Sequence, residues 1–69
     1  MSAITIFLNG EPREIPADFD LIRLLKLFSL PSQRIAIELN NAVVRRVDWP
    51  QSILRDGDKL EVVHFVGGG

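Results

Sequence analysis

Apolar side chains recur along this chain at two different periods, and each change of period marks a boundary between elements. Ile4, Ile6 and Leu8 alternate with Thr5 and Phe7 in a β-branched and aromatic run, which has the propensity of a strand. The run ends at Asn9-Gly10, the pair that best accepts the positive φ angles of a two-residue hairpin. Residues 3–8 therefore predict a strand that turns into a short second strand near Arg13 to Ile15. Pro12 and Pro16 flank that second strand, and residues that cannot donate to a ladder belong at the edge of a sheet. From Leu21 the period lengthens. Leu21, Leu24, Leu25 and Phe28 stand at i, i+3, i+4, i+7 behind Asp18 or Asp20 as N-cap, and this predicts one amphipathic helix of about two to three turns. Leu30-Pro31 is expected to stop it, because the residue before a proline is pushed out of the helical region.

The period of two then returns in Ile35-Ala36-Ile37-Glu38-Leu39, and Asn40-Asn41 is a second turn pair leading to Val43-Val44. The sequence Leu39-Asn40-Asn41 echoes Leu8-Asn9-Gly10. Trp49-Pro50 reads as an irregular crossing, Asp56-Gly57-Asp58 as a tight turn, and Leu60 to Val66 as a last strand. The order is hairpin, helix, hairpin, strand. An α+β fold satisfies it, with a mixed sheet of four to five strands and one main helix packed on one face. The helix serves as a crossover, so that the first and last strands lie parallel in the middle. That is the β-grasp arrangement familiar from ubiquitin. Within it, Ile6, Leu8, Ile37, Leu39, Leu60 and Val62 are expected to face Leu21, Leu24, Leu25 and Phe28. The domain is expected to span residues 1–66, leaving 67–69 as a flexible glycine tail.

A chain of 69 residues has room for one such core and no more. The net charge of -1 and pI near 5.7 provide no basic field for phosphate backbones, so nucleic acid is not an expected partner. Met1-Ser2-Ala3 leads straight into the first strand with no basic leader, and no apolar stretch is long enough to span a bilayer. The expectation is a soluble, cytoplasmic protein without a membrane. The chain has no cysteine, which removes disulfides, thiolate metal ligands and thiol nucleophiles together.

The remaining side chains provide no catalytic constellation. His64 is the one histidine; with no cysteine or second histidine it cannot build a metal site and reads as a rim residue. Asp56 and Asp58 fall short of the oxygen ligands of a calcium loop and read as a turn. Arg45-Arg46, with Arg34 and Arg55 elsewhere, reads as a solvated edge that discourages sheet-to-sheet pairing, and Trp49 as a cap over one end of the core. No catalytic residue, no metal site and no bound cofactor are expected. Two features resist so plain an account. With Leu60 and Val62 inward, Phe7, Val63 and Phe65 face away from the helix, and apolar side chains on an outer sheet face point to partner docking. The second feature is Gly67-Gly68-Gly69. At an average glycine usage of about 7%, three at named positions arise by chance about three times in ten thousand. An extended stretch without side chains would carry a carboxylate about 10 Å from the domain, into a channel that bulkier residues could not enter.

Ile6-Phe7-Leu8-Asn9-Gly10-Glu11, Ile37-Glu38-Leu39-Asn40, Trp49, Leu54-Arg55-Asp56-Gly57-Asp58-Lys59-Leu60-Glu61-Val62-Val63 and Val66-Gly67-Gly68-Gly69 together resemble the ThiS family of thiamine-biosynthesis sulfur carriers, small ubiquitin-like proteins. Val44-Arg45-Arg46 departs from the Val-Pro-Arg frequent in that family. The resemblance implies a carrier and not an enzyme. It implies a ThiF-like adenylyltransferase that uses ATP to activate the Gly69 carboxylate, a cysteine desulfurase route that supplies sulfur, and a ThiG-like thiazole synthase that receives it. Gly69 would be the sulfur attachment point, adenylate first and thiocarboxylate next, with Gly67 and Gly68 threading into partner active sites. Two alternatives stand beside it. One is a sulfur carrier like the molybdopterin-synthase small subunit, which also ends in Gly-Gly but usually has prolines where this chain has His64-Phe65-Val66. The other is a ubiquitin-like protein modifier or interaction module.

Overall fold

The computed structural model describes residues 2–65. Its elements run β1 (Ala3–Leu8), β2 (Glu11–Pro16), α1 (Leu21–Leu27), β3 (Ile35–Leu39), β4 (Ala42–Val44), a 3-10 helix (Arg46–Gln51) and β5 (Lys59–His64). The strands form one sheet in the order β2-β1-β5-β3-β4. Each hairpin is antiparallel, and β5 lies between them, parallel to β1 and antiparallel to β3. The mixed sheet has five strands, at the upper end of the expected number.

Both hairpin turns use the geometry their residues favour. Asn9 and Gly10 have φ of 51° and 85°, and Asn40 and Asn41 have 52° and 72°, so each turn has two left-handed residues and matches the twist of its strands. β2 is longer than expected, since both prolines lie within it. Pro12 pairs with Phe7 and Pro16 with Ala3, while the Ala17 N–H beyond them donates to the Ser2 carbonyl at 3.1 Å. By alternation the two proline nitrogens face out of the sheet, where a missing donor costs nothing.

Asp20, not Asp18, caps α1: its Oδ1 accepts the Arg23 N–H at 2.8 Å, while Asp18 is left-handed at φ 67°. The other end corrects the expected stop at Leu30-Pro31. The helix closes at Leu27, because the Leu30 N–H turns back to the Leu25 carbonyl (2.8 Å) and the Ser29 N–H to the Lys26 carbonyl (3.2 Å). This is the double bond of a Schellman cap, with Ser29 at φ 54° in the left-handed position that glycine usually fills. Ser29→Gly is therefore expected to stabilise the domain by about 0.5 kcal/mol, the left-handed strain outweighing the added freedom of the unfolded chain. A thermal melt would show a rise of about 2–4 °C; a fall would mean that the Ser29 side chain contributes more than its backbone costs.

The core comprises Ile6, Leu8, Ile15, Leu21, Leu24, Leu25, Ile35, Ile37, Trp49, Leu54 and Leu60. Leu39, Val62 and Phe28, expected inside, are half-buried against it. Trp49 does more than cap. It is fully buried, its Nε1–H donates to the Val44 carbonyl at 3.0 Å, and the Arg46 guanidinium lies 4.5 Å over its ring. The segment expected as an irregular crossing is thus a 3-10 helix wound around this indole. Arg46 is likewise not simply a solvated edge residue, since its guanidinium also donates to the Ser32 carbonyl. β5 ends at His64, short of the Val66 expected from its propensity. Val66, the tail 67–69 and the boundary between them lie outside the described residues.

Candidate functional site: the central strand and its outer face

β5 is held at its start by side chains from both hairpins. Asn9 lies at the end of β1, where its N–H donates to the Leu60 carbonyl (2.8 Å) and its Oδ1 accepts the Val62 N–H (2.9 Å). Asn40 does the same from the other side: its N–H donates to the Lys59 carbonyl (2.8 Å) and its Oδ1 accepts the Lys59 N–H (3.0 Å). A left-handed asparagine at the first turn position is what aims each side chain back at the central strand. The echo between Leu8-Asn9-Gly10 and Leu39-Asn40-Asn41 was the sequence signal for this pair of clamps.

The Asp56-Gly57-Asp58 turn is tied in as well. Asp56 Oδ1 accepts the Thr5 N–H (2.8 Å), the Thr5 carbonyl accepts from Gly57 (2.7 Å), and the Phe7 N–H reaches the Asp58 carbonyl (2.9 Å). Asp58 accepts the Arg55 N–H on one oxygen (2.8 Å) and the Asn40 side-chain amide on the other (3.0 Å). These carboxylates have structural work, and among the described residues no group of three His, Cys, Asp or Glu could hold a metal ion. His64 is exposed at the end of β5, opposite Ile35.

Phe7, Val63 and Phe65 are all exposed, at 37%, 49% and 51%. They do not form one contiguous patch. Phe7 lies opposite Lys59, four residues before Val63, which separates them by about 13 Å along the strand. Glu61 stands between them on the same face and is directly opposite Glu38 on β3. Neither carboxylate has an ion-pair partner among the described residues. Sequence reading missed this pair because like charges meet only once the β3–β5 register is known. The outer face therefore has an apolar end at Val63 and Phe65, an acidic middle, and a shallow depression lined by Phe7, Glu38, Lys59 and Glu61. Arg34 lies in the loop before β3 and Arg55 in the loop before β5, while Arg45 and Arg46 lie at the start of the 3-10 helix. Gly67, Gly68 and Gly69, the expected reactive tail, lie outside the described residues.

Two hairpins flanking a central last strand, with one main helix across the inner face, define a ubiquitin-like β-grasp domain. Residues 6–69 match the model of the ThiS family, and the chain belongs to that family of small sulfur carriers, which are not enzymes. It is 34% identical to the sulfur carrier protein ThiS of Thermus thermophilus, an alignment covering 93% of this chain and 98% of that one. A crystal structure of the thiamine biosynthesis protein ThiS from Geobacter metallireducens superposes with a TM-score of 0.84 at 26% identity, covering 96% of this chain and all of that one. The chain is also 42% identical to part of the thiazole synthase of Magnetococcus marinus over 93% of its own length, but it spans only 20% of that relative. No helix among the described residues is long and apolar enough to cross a membrane.

Proposed function

We propose that this chain carries sulfur in thiamine biosynthesis as a thiocarboxylate on Gly69 and delivers it to thiazole synthase. The observation that carries this reading is the extent of the family match, which does not stop at the folded domain but runs through Gly67 and Gly68 to Gly69. The chemistry follows from the starting group. A carboxylate is a poor electrophile. Attack of its oxygen on the α-phosphorus of ATP, with pyrophosphate leaving, forms an acyl adenylate whose carbonyl can be attacked. A persulfide sulfur derived from cysteine then displaces AMP, and reduction of the resulting acyl disulfide by a thiol leaves the thiocarboxylate. An adenylyltransferase, with ATP as its substrate, and a cysteine desulfurase route supply these steps; the carrier supplies the tail.

The domain's contribution is presentation. The clamps of Asn9 and Asn40 fix the strand that precedes the tail, and the exposed Val63 and Phe65 provide apolar contact beside it. Phe7, farther along the outer face, is a second contact point. The thiazole synthases of Magnetococcus marinus and Paramagnetospirillum magneticum each contain a stretch like this chain, which supports thiazole synthase as the receiving enzyme.

Incubation with the adenylyltransferase, ATP, a cysteine desulfurase and cysteine is expected to raise the intact mass by the replacement of one oxygen by sulfur. Fragmentation should place the change on Gly69, which also tests whether that residue bears the free carboxylate. Deleting Gly69 should abolish the gain without changing the melting temperature. An unchanged mass would overturn the reading, and a conjugate to a lysine of another protein would assign the chain to the modifiers.

A further inference from the structure

The parallel ladder between β1 and β5 is two residue pairs long, Phe7 with Lys59 and Leu8 with Leu60. β5 runs on to His64, whereas the chain of β1 has already turned away at Asn9-Gly10. Which backbone groups this leaves open follows from alternation. The carbonyls of Asp58 and Leu60 accept from Phe7 and Asn9, and the Val62 N–H donates to the Asn9 side chain. The Lys59 carbonyl and the Phe65 N–H bond instead to Asn40 and Arg34 on the β3 side. The Val62 carbonyl and the N–H and carbonyl of His64 therefore point into the lane that β1 has vacated, and they find no protein partner among the described residues.

The two outer edges of the sheet are guarded. β2 has Pro12 and Pro16, and β4 is only three residues long; prolines and short strands are both devices against unwanted pairing. From Glu61 to Phe65 there is no proline, lysine or arginine. The asparagine clamp satisfies one donor and leaves the next positions open. We propose that this lane is a strand-docking site, filled by an extended segment of thiazole synthase as the tail enters that enzyme.

The inference rests on the functional reading above and deepens it. A strand added here would exchange hydrogen bonds with Val62 and His64 and lie beside the chain as it leaves the domain for the active site. On the outer face its side chains would meet exposed Val63 and Phe65 at one end. At the other they would meet Glu61, whose unfavourable opposition to Glu38 is relieved by a lysine or arginine on the incoming segment. The docking segment is accordingly apolar toward Val63 and Phe65 and basic toward Glu61.

Because the His64 N–H is outside the β3 ladder, His64→Pro removes it without removing a bond from the free domain, while His64→Ala deletes the side chain and keeps the N–H. Binding of each variant to purified thiazole synthase would be measured by titration calorimetry. His64→Pro is expected to bind about tenfold or more weakly, and His64→Ala within about twofold of the parent chain. On the parent chain, amide exchange should show the His64 N–H becoming protected when the enzyme is added, a reading that does not depend on the proline variant folding. Parent-like binding by folded His64→Pro, an equal loss in His64→Ala, or an unprotected His64 amide in the complex would each overturn the proposal. Protection that grows with carrier concentration in the absence of enzyme would assign the lane to a second copy of this chain and overturn it too. A parent chain that does not bind thiazole synthase at all overturns the choice of receiving enzyme as well, whereas parent-like binding by His64→Pro overturns the lane alone.

Discussion

Trp49→Ala is expected to leave the domain largely unfolded at room temperature. At about 0.05–0.15 kcal/mol per residue, a domain of this size is stable by roughly 3–10 kcal/mol. Truncating a buried tryptophan costs about 3–5 kcal/mol through lost contacts and the cavity left behind, a loss comparable with the lower half of that range. Trp49 is also the centre of the 3-10 helix: its indole bonds the Val44 carbonyl at the end of β4 and carries the Arg46 guanidinium on its face. Trp49→Phe keeps most of the volume but strands that carbonyl, so its loss should be smaller. Because Trp49 is the only tryptophan, the measurement is urea unfolding followed by far-ultraviolet circular dichroism. A Trp49→Ala midpoint equal to that of the parent would show that the core closes without the indole.

Asn40→Ala is expected to cost about 3 kcal/mol, which at this size lowers the melting temperature by about 12 °C or more. Two contributions combine. The side chain accepts the Lys59 N–H and donates to Asp58, each bond worth about 0.5–1.5 kcal/mol net. The backbone at φ 52° then has to be held by a residue that tolerates it poorly. Asn40→Gly separates them, since glycine accepts the left-handed turn but makes neither bond, and about half the loss should remain. Equal melting temperatures for the two variants would mean that backbone strain contributes nothing and the clamp alone is felt.

These positions also show what was legible in the sequence. The hairpins could be read because Asn9-Gly10 and Asn40-Asn41 are local signals with local consequences, and the helix because Leu21, Leu24 and Leu25 bury the face their spacing predicts. The 3-10 helix was not, because Trp49 and Pro50 have no strong local preference for it; the indole's place in the core organises that segment. The helix stop was misplaced because Pro31 is a conspicuous breaker while Ser29 is an unremarkable residue in an unusual conformation. On the outer face, alternation correctly turned Phe7, Val63 and Phe65 outward, but it could not tell that Phe7 lies beside Lys59 and away from the other two. Register, which aligns residues far apart in sequence, supplied that, and with it the opposed glutamates and the short β1–β5 ladder.

The place of β5 in the sheet also governs how the domain is assembled. Each hairpin closes through contacts between near neighbours, but neither touches the other within the sheet; the strand that joins them is made after both. Until it arrives, β1 and β3 flank an empty slot, and of the pairings that fill it the one with β1 closes a loop across most of the chain. Such non-local closures are slow, so insertion of the last strand is expected to limit the folding rate. A substitution in β5 is therefore expected to slow folding as well as to weaken the finished sheet, and so to lengthen the time a refolding chain stays open to protease.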